Sequence, residues 1–347
     1  MTKLSSKCEK ESVVEAFATQ SASVFCQIRE WMMEKHYIFG PVPSRRLGFS
    51  LGVDIIPYKV CSLNCIYCQL GPTPETTLKR REYAQIKPVL RELEETLKRP
   101  GRIDYITLSG SGEPTLNSRI GDLIPKIKKL TTIPIALLTN GTMLIYPEVR
   151  EALRELDLVV PSLDAGTEEV YQVINRPVTG LNLEGLTRGI MDFTAGFPGQ
   201  VWLEVMLLKG VNDAEDELEA MARRIVIIQP EKVQLNTAVR PAAEIGVQAL
   251  SPGELDGIRQ FLQDRIVSIP VEVVAGFSGQ REEAEKKDIR GDILTYLERR
   301  PATLADLSAT FGLHRNEIVK YLGHLLDEGL IKVKYTGEEK YYVNASA

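Results

Sequence analysis

At 347 residues the chain is longer than one average domain, although barrel enzymes of about 250 residues are ordinary single domains. Its 44% hydrophobic and 26% charged residues are the mix of a folded globular protein and exclude a disordered one. The net charge of −5 supplies no global field for nucleic acid, so any such contact needs a local patch. The longest apolar runs, such as IPIALL at 133–138, are far too short to span a bilayer. The opening MTKLSSKCEKES has no apolar segment behind its charges, so a secretory signal is not expected and a cytoplasmic location is. Three of the five cysteines fall within eight residues, unlike an extracellular disulfide framework. In a reducing compartment such a group usually binds metal.

In chain order, residues 1–38 read as an amphipathic helical extension, VVEAFATQSASVFCQIREWMMEKH. Its Cys8 and Cys26 are isolated and read as free thiols. From residue 39 a β/α alternation begins. Short β-branched runs at 53–57, 105–109, 134–139, 158–163, 201–207 and 233–237 read as buried parallel strands, with a further edge strand at 271–275. Helical patterns lie between them, among them KPVLRELEETLKR, NSRIGDLIPKIKKL and PGELDGIRQFLQDR. Six strands with intervening helices predict an α/β fold, a partial (β/α)6 TIM-like barrel over 39–277. The polar residues fall just after strand ends, the edge where α/β folds assemble their sites. Residues 278–287, SGQREEAEKK, read as a charged linker. Residues 288–347 then change to three helices and two short strands around Gly337, with Thr303 as a helix cap. This is the outline of a winged helix-turn-helix domain.

The strongest chemical signal is CSLNCIYC, with Cys61, Cys65 and Cys68 on one loop and the aromatic Tyr67 before the last. Three thiolates can ligate three irons of a [4Fe–4S] cubane and leave the fourth iron open to another ligand. A structural zinc site would need a fourth cysteine or histidine, usually in paired units, and none is near in sequence.

With the motifs that follow it, this loop resembles the radical S-adenosylmethionine superfamily over roughly residues 39–276. The resemblance implies a [4Fe–4S] cluster and S-adenosylmethionine as cofactors, and reductive cleavage of the latter to a 5′-deoxyadenosyl radical. An electron donor such as flavodoxin or ferredoxin would feed the cluster. SGSGEPT at 109–115 is similar to the family's Gly-Gly-Glu motif, which makes Gly112 and Glu113 cofactor ligands, although Ser111 replaces a frequent glycine. Tyr67 joins the cofactor residues on the same resemblance, as do Ser162 and Asp164 in PSLDAG and Asn175 and Arg176 in INRP. For Arg176 a surface position at a helix end is the competing reading. Asn140 in LLTNG resembles a cofactor-facing Asn, with a structural turn before Gly141 as the alternative. Asn236 and Arg240 in QLNTAVRP end a strand and are candidates to face cofactor or substrate. Glu204 lies inside the apolar strand VWLEVML, where an unpaired buried carboxylate is costly. It is assigned a catalytic role in the barrel interior, against a strand position open to solvent.

The stretch GPVPSRRLGFSLGVDIIPYKVCSLNC resembles a narrower branch related to the wyosine-base synthases that act on tRNA. Those carry further cysteines for a second cluster, and this catalytic region has none. The stretch is expected to bring Arg45 and Arg46 close to the cysteine loop. There they either bind an anionic substrate such as a phosphate or brace the loop and neutralise the cluster.

The C-terminal domain carries ten Lys and Arg against nine Asp and Glu from residue 286 onward, without a clear basic excess. Its third helix holds His314, Arg315, Asn316 and Lys320 where base-reading residues would lie, with Arg315 and Lys320 the best-placed phosphate contacts. Three function classes follow: radical modification of RNA, with a tRNA base first; radical modification of a protein or peptide docked on this domain; or a non-catalytic DNA-binding redox regulator. The cofactor motifs speak against the last, because a sensor needs no Gly112–Glu113 ligand.

Overall fold

The structure is a computed structural model and describes residues 37–274, 289–313, 315–337 and 339–346. The helical extension with Cys8 and Cys26, the linker at 278–287, His314 and the side chains of Asn316 and Lys320 lie outside the described residues. No described helix is long and apolar enough to cross a membrane.

The chain enters an antiparallel pair, β1 (Ile38–Ser44) and β2 (Gly48–Val53). Parallel strands follow: β3 (Tyr105–Leu108), β4 (Ile135–Thr139), β5 (Leu158–Pro161), β6 (Gln200–Leu207), β7 (Lys232–Thr237) and β8 (Val271–Val273). The eight strands pair in sequence order, and β8 does not pair with β1, so the sheet stays open. Helices bridge each parallel step: α1 (Ile86–Leu97), α2 (Ile120–Leu130), α3 (Pro147–Ala152), α4 (Glu168–Ile174), α5 (Leu183–Gly196), α6 (Glu215–Ile228) and α7 (Pro252–Arg265). Their apolar stripes face the sheet. Val89 and Leu93 of α1 are buried, as are Ile120, Leu123, Ile124 and Ile127 of α2. A capping box between Ser251 and Glu254 starts α7. On the inner side, Leu47 clusters with Ala136, Leu158 and Val160, and Tyr105 and Trp202 pack against the group. Contacts that gather side chains of β3 to β6 around one turn residue require a curled sheet.

Two sequence expectations need correction. The first parallel strand ends at Val53 rather than spanning 53–57. Asp54 is buried and its carboxylate accepts from the backbone of Ile56 and Ser111, and Pro57 has no N–H to extend a ladder. The sequence reading places its first strand at residue 53, yet β1 forms before it; as an edge strand it tolerates its two prolines.

Past the undescribed segment come α8 (Ile289–Arg299), α9 (Leu304–Phe311), α10 (Arg315–Asp327) and the antiparallel hairpin β9 (Ile331–Thr336) and β10 (Glu339–Asn344). Thr303 caps α9 in a capping box with Asp306, as the sequence suggests. Ile38–Ala347 fall into one compact unit. The C-terminal elements are fastened to the sheet at three points. Tyr341 Oη donates to the carbonyl of Val239 at 2.5 Å, and Arg240 Nη2 lies 3.9 Å from Asp306 Oδ2. The third is a buried ion pair, Arg299 Nε to Asp54 Oδ2 at 3.2 Å, with the guanidinium also stacked over the Phe39 ring.

Breaking that pair should be costly, because both members are buried. Arg299→Met leaves the Asp54 carboxylate without its cation and is expected to lower unfolding free energy by about 3–5 kcal/mol. Chemical denaturation measures it, with Asp54→Asn/Arg299→Met recovering part of the loss. An unchanged midpoint in the single variant would contradict the assignment.

Candidate functional site

The cysteine loop leaves the sheet after β2 and is held by backbone bonds to two other segments. On one side it meets the glycine-rich loop after β3: Lys59 N donates to Ser111 O at 2.7 Å and Glu113 N to Val60 O at 3.0 Å. A Cβ on Gly112 would lie 2.1 Å from the Val60 carbonyl oxygen, so only glycine permits this approach. On the other side the INRP segment runs alongside: Asn64 N donates to Asn175 O, Ile66 N to Ile174 O and Val178 N to Ser62 O. The motifs that are far apart in sequence are therefore two walls clamping one loop.

Each cysteine sulfur meets a nitrogen donor. Asn140 Nδ2 lies 3.5 Å from Cys61 Sγ, Asn175 Nδ2 lies 3.4 Å from Cys65 Sγ, and Lys59 Nζ lies 3.0 Å from Cys68 Sγ. Lys59 is a buried residue in the left-handed backbone region, at φ 60°. A buried ammonium hydrogen-bonded to sulfur calls for an anionic sulfur. Burial pushes the Cys61 thiol up to about 12 and the Cys65 thiol further up, with Glu113 and Asp164 respectively adding to the effect. Thiolates so disfavoured by burial would need a cation to share their charge, a role that the iron of a cluster would fill. Among the described residues no group of three or more His, Cys, Asp and Glu is placed to hold a single metal ion. One donor per sulfur, and no fourth protein ligand, fit a three-thiolate cluster better than zinc.

Around the cysteines stand two buried carboxylates. Glu113 Oε1 accepts from Thr115 N at 3.0 Å, Thr115 Oγ1 at 2.5 Å and Thr139 Oγ1 at 2.7 Å, and its Oε2 accepts from Asn140 N at 2.8 Å. Burial raises its pKa, and these bonds pull the other way. Asp164 Oδ2 accepts from Tyr67 Oη at 2.5 Å and Asn175 Nδ2 at 2.8 Å, while Oδ1 accepts from Met206 N. Burial raises the Asp164 carboxyl to about 6. The ladder between β5 and β6 is interrupted near Pro161 and resumes as a bridge between Ser162 and Glu204, which places Ser162 in this row.

Asn140 makes the turn and also reaches the cysteine loop. Its Oδ1 accepts from Thr142 N, which makes the turn, and its Nδ2 reaches Cys61 Sγ and Ser62 Oγ. Glu204 is not open to solvent: it pairs with Arg46 and accepts from Asn236 Nδ2 at 2.9 Å. The Arg176 side chain forms an exposed ion pair with Glu244, whose N–H donates to the Ile66 carbonyl of the cysteine loop. Arg45 and Arg46 sit in the turn before β2, and Arg46 pairs with Glu204, which is bridged to Ser162. Arg315 is exposed on α10.

The sequence reading missed Lys59, Ser62 and Thr139. Only Lys59 left a signal: a lysine two residues before the first cysteine is a cation that the backbone delivers to the sulfurs.

Residues 55–225 match the model of the radical SAM superfamily. A UPF0026 protein of Methanocaldococcus jannaschii is 30% identical over 323 residues, 88% of this chain and 95% of that protein. A protein of Brachyspira hyodysenteriae named GTPase Obg is 37% identical over 308 residues, and the chain covers 45% of its length. Among solved structures, a radical SAM methyltransferase from Sphaerobacter thermophilus aligns over 65% of each chain, at 19% identity and TM-score 0.49. The chain belongs to the UPF0026 family and to the radical SAM superfamily, whose cofactors are a [4Fe–4S] cluster and S-adenosylmethionine.

Proposed function

We propose that this protein is a radical SAM enzyme of the branch related to the wyosine-base synthases, and that it modifies RNA, first of all a tRNA base. The observation that carries the macromolecular part is the docking of three helices and a hairpin beside the open edge of the sheet. Asp54–Arg299, Arg240–Asp306 and Tyr341–Val239 fix it there. We read these elements as a winged helix, with α10 as its recognition helix and β9–β10 as its wing. Exposed Lys334, Tyr335 and Lys340 on the hairpin suit a phosphate backbone with a base stacked on the aromatic ring.

With both cofactors bound, cleavage of S-adenosylmethionine at the cluster supplies a 5′-deoxyadenosyl radical for hydrogen abstraction. The chain's own residues orient and enclose. Cys61, Cys65 and Cys68 hold the cluster, and Lys59, Asn140 and Asn175 donate to their sulfurs. Gly112 and Glu113 form the wall assigned to the cofactor's amino group, while Asp164 with Tyr67 and Ser162 form the opposite wall. Glu204, held between Arg46 and Asn236, is the carboxylate facing the substrate side.

If α10 holds RNA through phosphates, binding of bulk tRNA should fall steeply with salt. The slope should drop by about one unit for each charge removed in Arg315→Ala/Lys320→Ala. Binding by a fluorescence titration at several salt concentrations reads this. A shallow, mutation-insensitive response would instead favour a docked protein or peptide, and absence of binding would refute the RNA reading.

A further inference from the structure

We propose that Arg45, Arg240 and Arg300, gathered at the gap between β1 and β8, form a subsite for a phosphate group of the substrate. The proposal rests on the reading above that substrate reaches the site past the C-terminal elements. It goes beyond that reading in placing the phosphate inside the seam rather than on the surface of α10.

Three separate elements bring the guanidiniums together. Arg45 comes from the β1–β2 turn, Arg240 follows β7, and Arg300 follows α8. Arg45 lines a cavity of about 610 Å³ together with Asn236 and Thr237, under apolar walls from Leu235, Leu250 and Val273. Arg300 lines a separate, small crevice with Lys334 and with Gln69–Gly71, the residues directly after Cys68.

These cations are poorly balanced. Glu204 is taken by Arg46, so Arg46 is the neutralised member of the pair. Asp306 lies 3.9 Å from Arg240, at the limit of an ion pair. Among the described residues, no carboxylate lies within ion-pair distance of Arg45 or Arg300. The Nε atoms of Arg240 and Arg300 are buried and have no hydrogen-bond partner. A buried N–H left unpaired costs free energy that an oxyanion would recover, and the guanidinium fork fits phosphate. Burial first, then the neighbouring Arg240 and Arg46, push Arg45 down to about 10, with Glu204 opposing and Arg300 adding to the fall. Structural bracing alone does not require three cations to face one another. A bound dianion removes the repulsion.

The test is calorimetric titration of inorganic pyrophosphate into the full chain, reconstituted anaerobically, and into Arg45→Gln and Arg300→Gln. Wild type should bind one pyrophosphate per chain, and each variant should bind about tenfold more weakly or worse. If a glutamine variant does not fold, Arg45→Lys is measured in its place, since it keeps the charge but loses the fork. A smaller loss is then expected. Competition by a short single-stranded RNA assigns the phosphate to a backbone, and competition by a mononucleotide alone assigns it to a small phosphorylated substrate. Absence of pyrophosphate binding to wild type, or equal binding by the folded variants, overturns the subsite. The same preparations are assayed for 5′-deoxyadenosine release and for tRNA binding through α10. Intact results there with no pyrophosphate binding remove the subsite alone and leave the proposed function standing.

Discussion

Anaerobic reconstitution of Cys65→Ala should yield protein without a [4Fe–4S] cluster, whereas wild type takes up about four irons and four sulfides. A cubane held by three thiolates has no spare protein ligand, so the loss of one should not be compensated. Cys65 is held on both sides: its carbonyl accepts from Cys68 N at 3.1 Å, and its sulfur faces Asn175 Nδ2. The loop backbone is pinned independently by residues 174–178 and by Ser111. The variant is therefore expected to stay folded while it loses the absorbance and iron content of the cluster. A full cluster in the triple variant Cys61→Ala/Cys65→Ala/Cys68→Ala would show that the iron is bound elsewhere.

Glu113→Ala should damage both the fold and cofactor binding, and the two effects can be separated. The carboxylate accepts four hydrogen bonds from Thr115, Thr139 and Asn140, so its removal leaves buried donors unpaired. A loss of about 3 kcal/mol or more in stability is expected. Oε1 already takes three donors while Oε2 takes only Asn140 N, which makes Oε2 the atom open to an ammonium group. Loss of a charge-assisted bond there should weaken S-adenosylmethionine binding about tenfold or more. Glu113→Gln keeps one oxygen acceptor and should recover stability more than affinity. Equilibrium dialysis and thermal unfolding read the two quantities. Unchanged cofactor affinity in a folded Glu113→Ala protein would remove Glu113 from the site.

Much of this arrangement was legible because its signals are local in sequence. Cys61, Cys65 and Cys68 declare their chemistry by spacing, and α7 and α9 by their capping residues. The parallel strands read directly because they are buried on both faces and continuously apolar. What the sequence hid depends on tertiary encounters. Gly112 is read from the sequence as a cofactor ligand, and the limit that the Val60 carbonyl of another segment sets on its size is visible only in the fold. Arg176 and Asn175 are neighbours in one motif. The backbone sends Asn175 to Cys65 and Asp164, and sends Arg176, at φ 44°, outward to Glu244. Arg45 and Arg46 lie in the β1–β2 turn, and the pairing of Arg46 with Glu204 on β6 is a tertiary encounter that the sequence does not show. The strand β1 takes two prolines because it lies at the sheet edge, a position that only the fold reveals.

The central claim is that this loop, with Gly112–Glu113 and Asp164 around it, performs radical SAM chemistry. The most direct measurement is product analysis of the anaerobically reconstituted full chain, reduced with dithionite in the presence of S-adenosylmethionine and no other substrate. Slow formation of 5′-deoxyadenosine and methionine in equal amounts is predicted, and the same preparation of Cys65→Ala should form neither. Intact S-adenosylmethionine after reduction, in protein shown to hold a full cluster, would contradict the account.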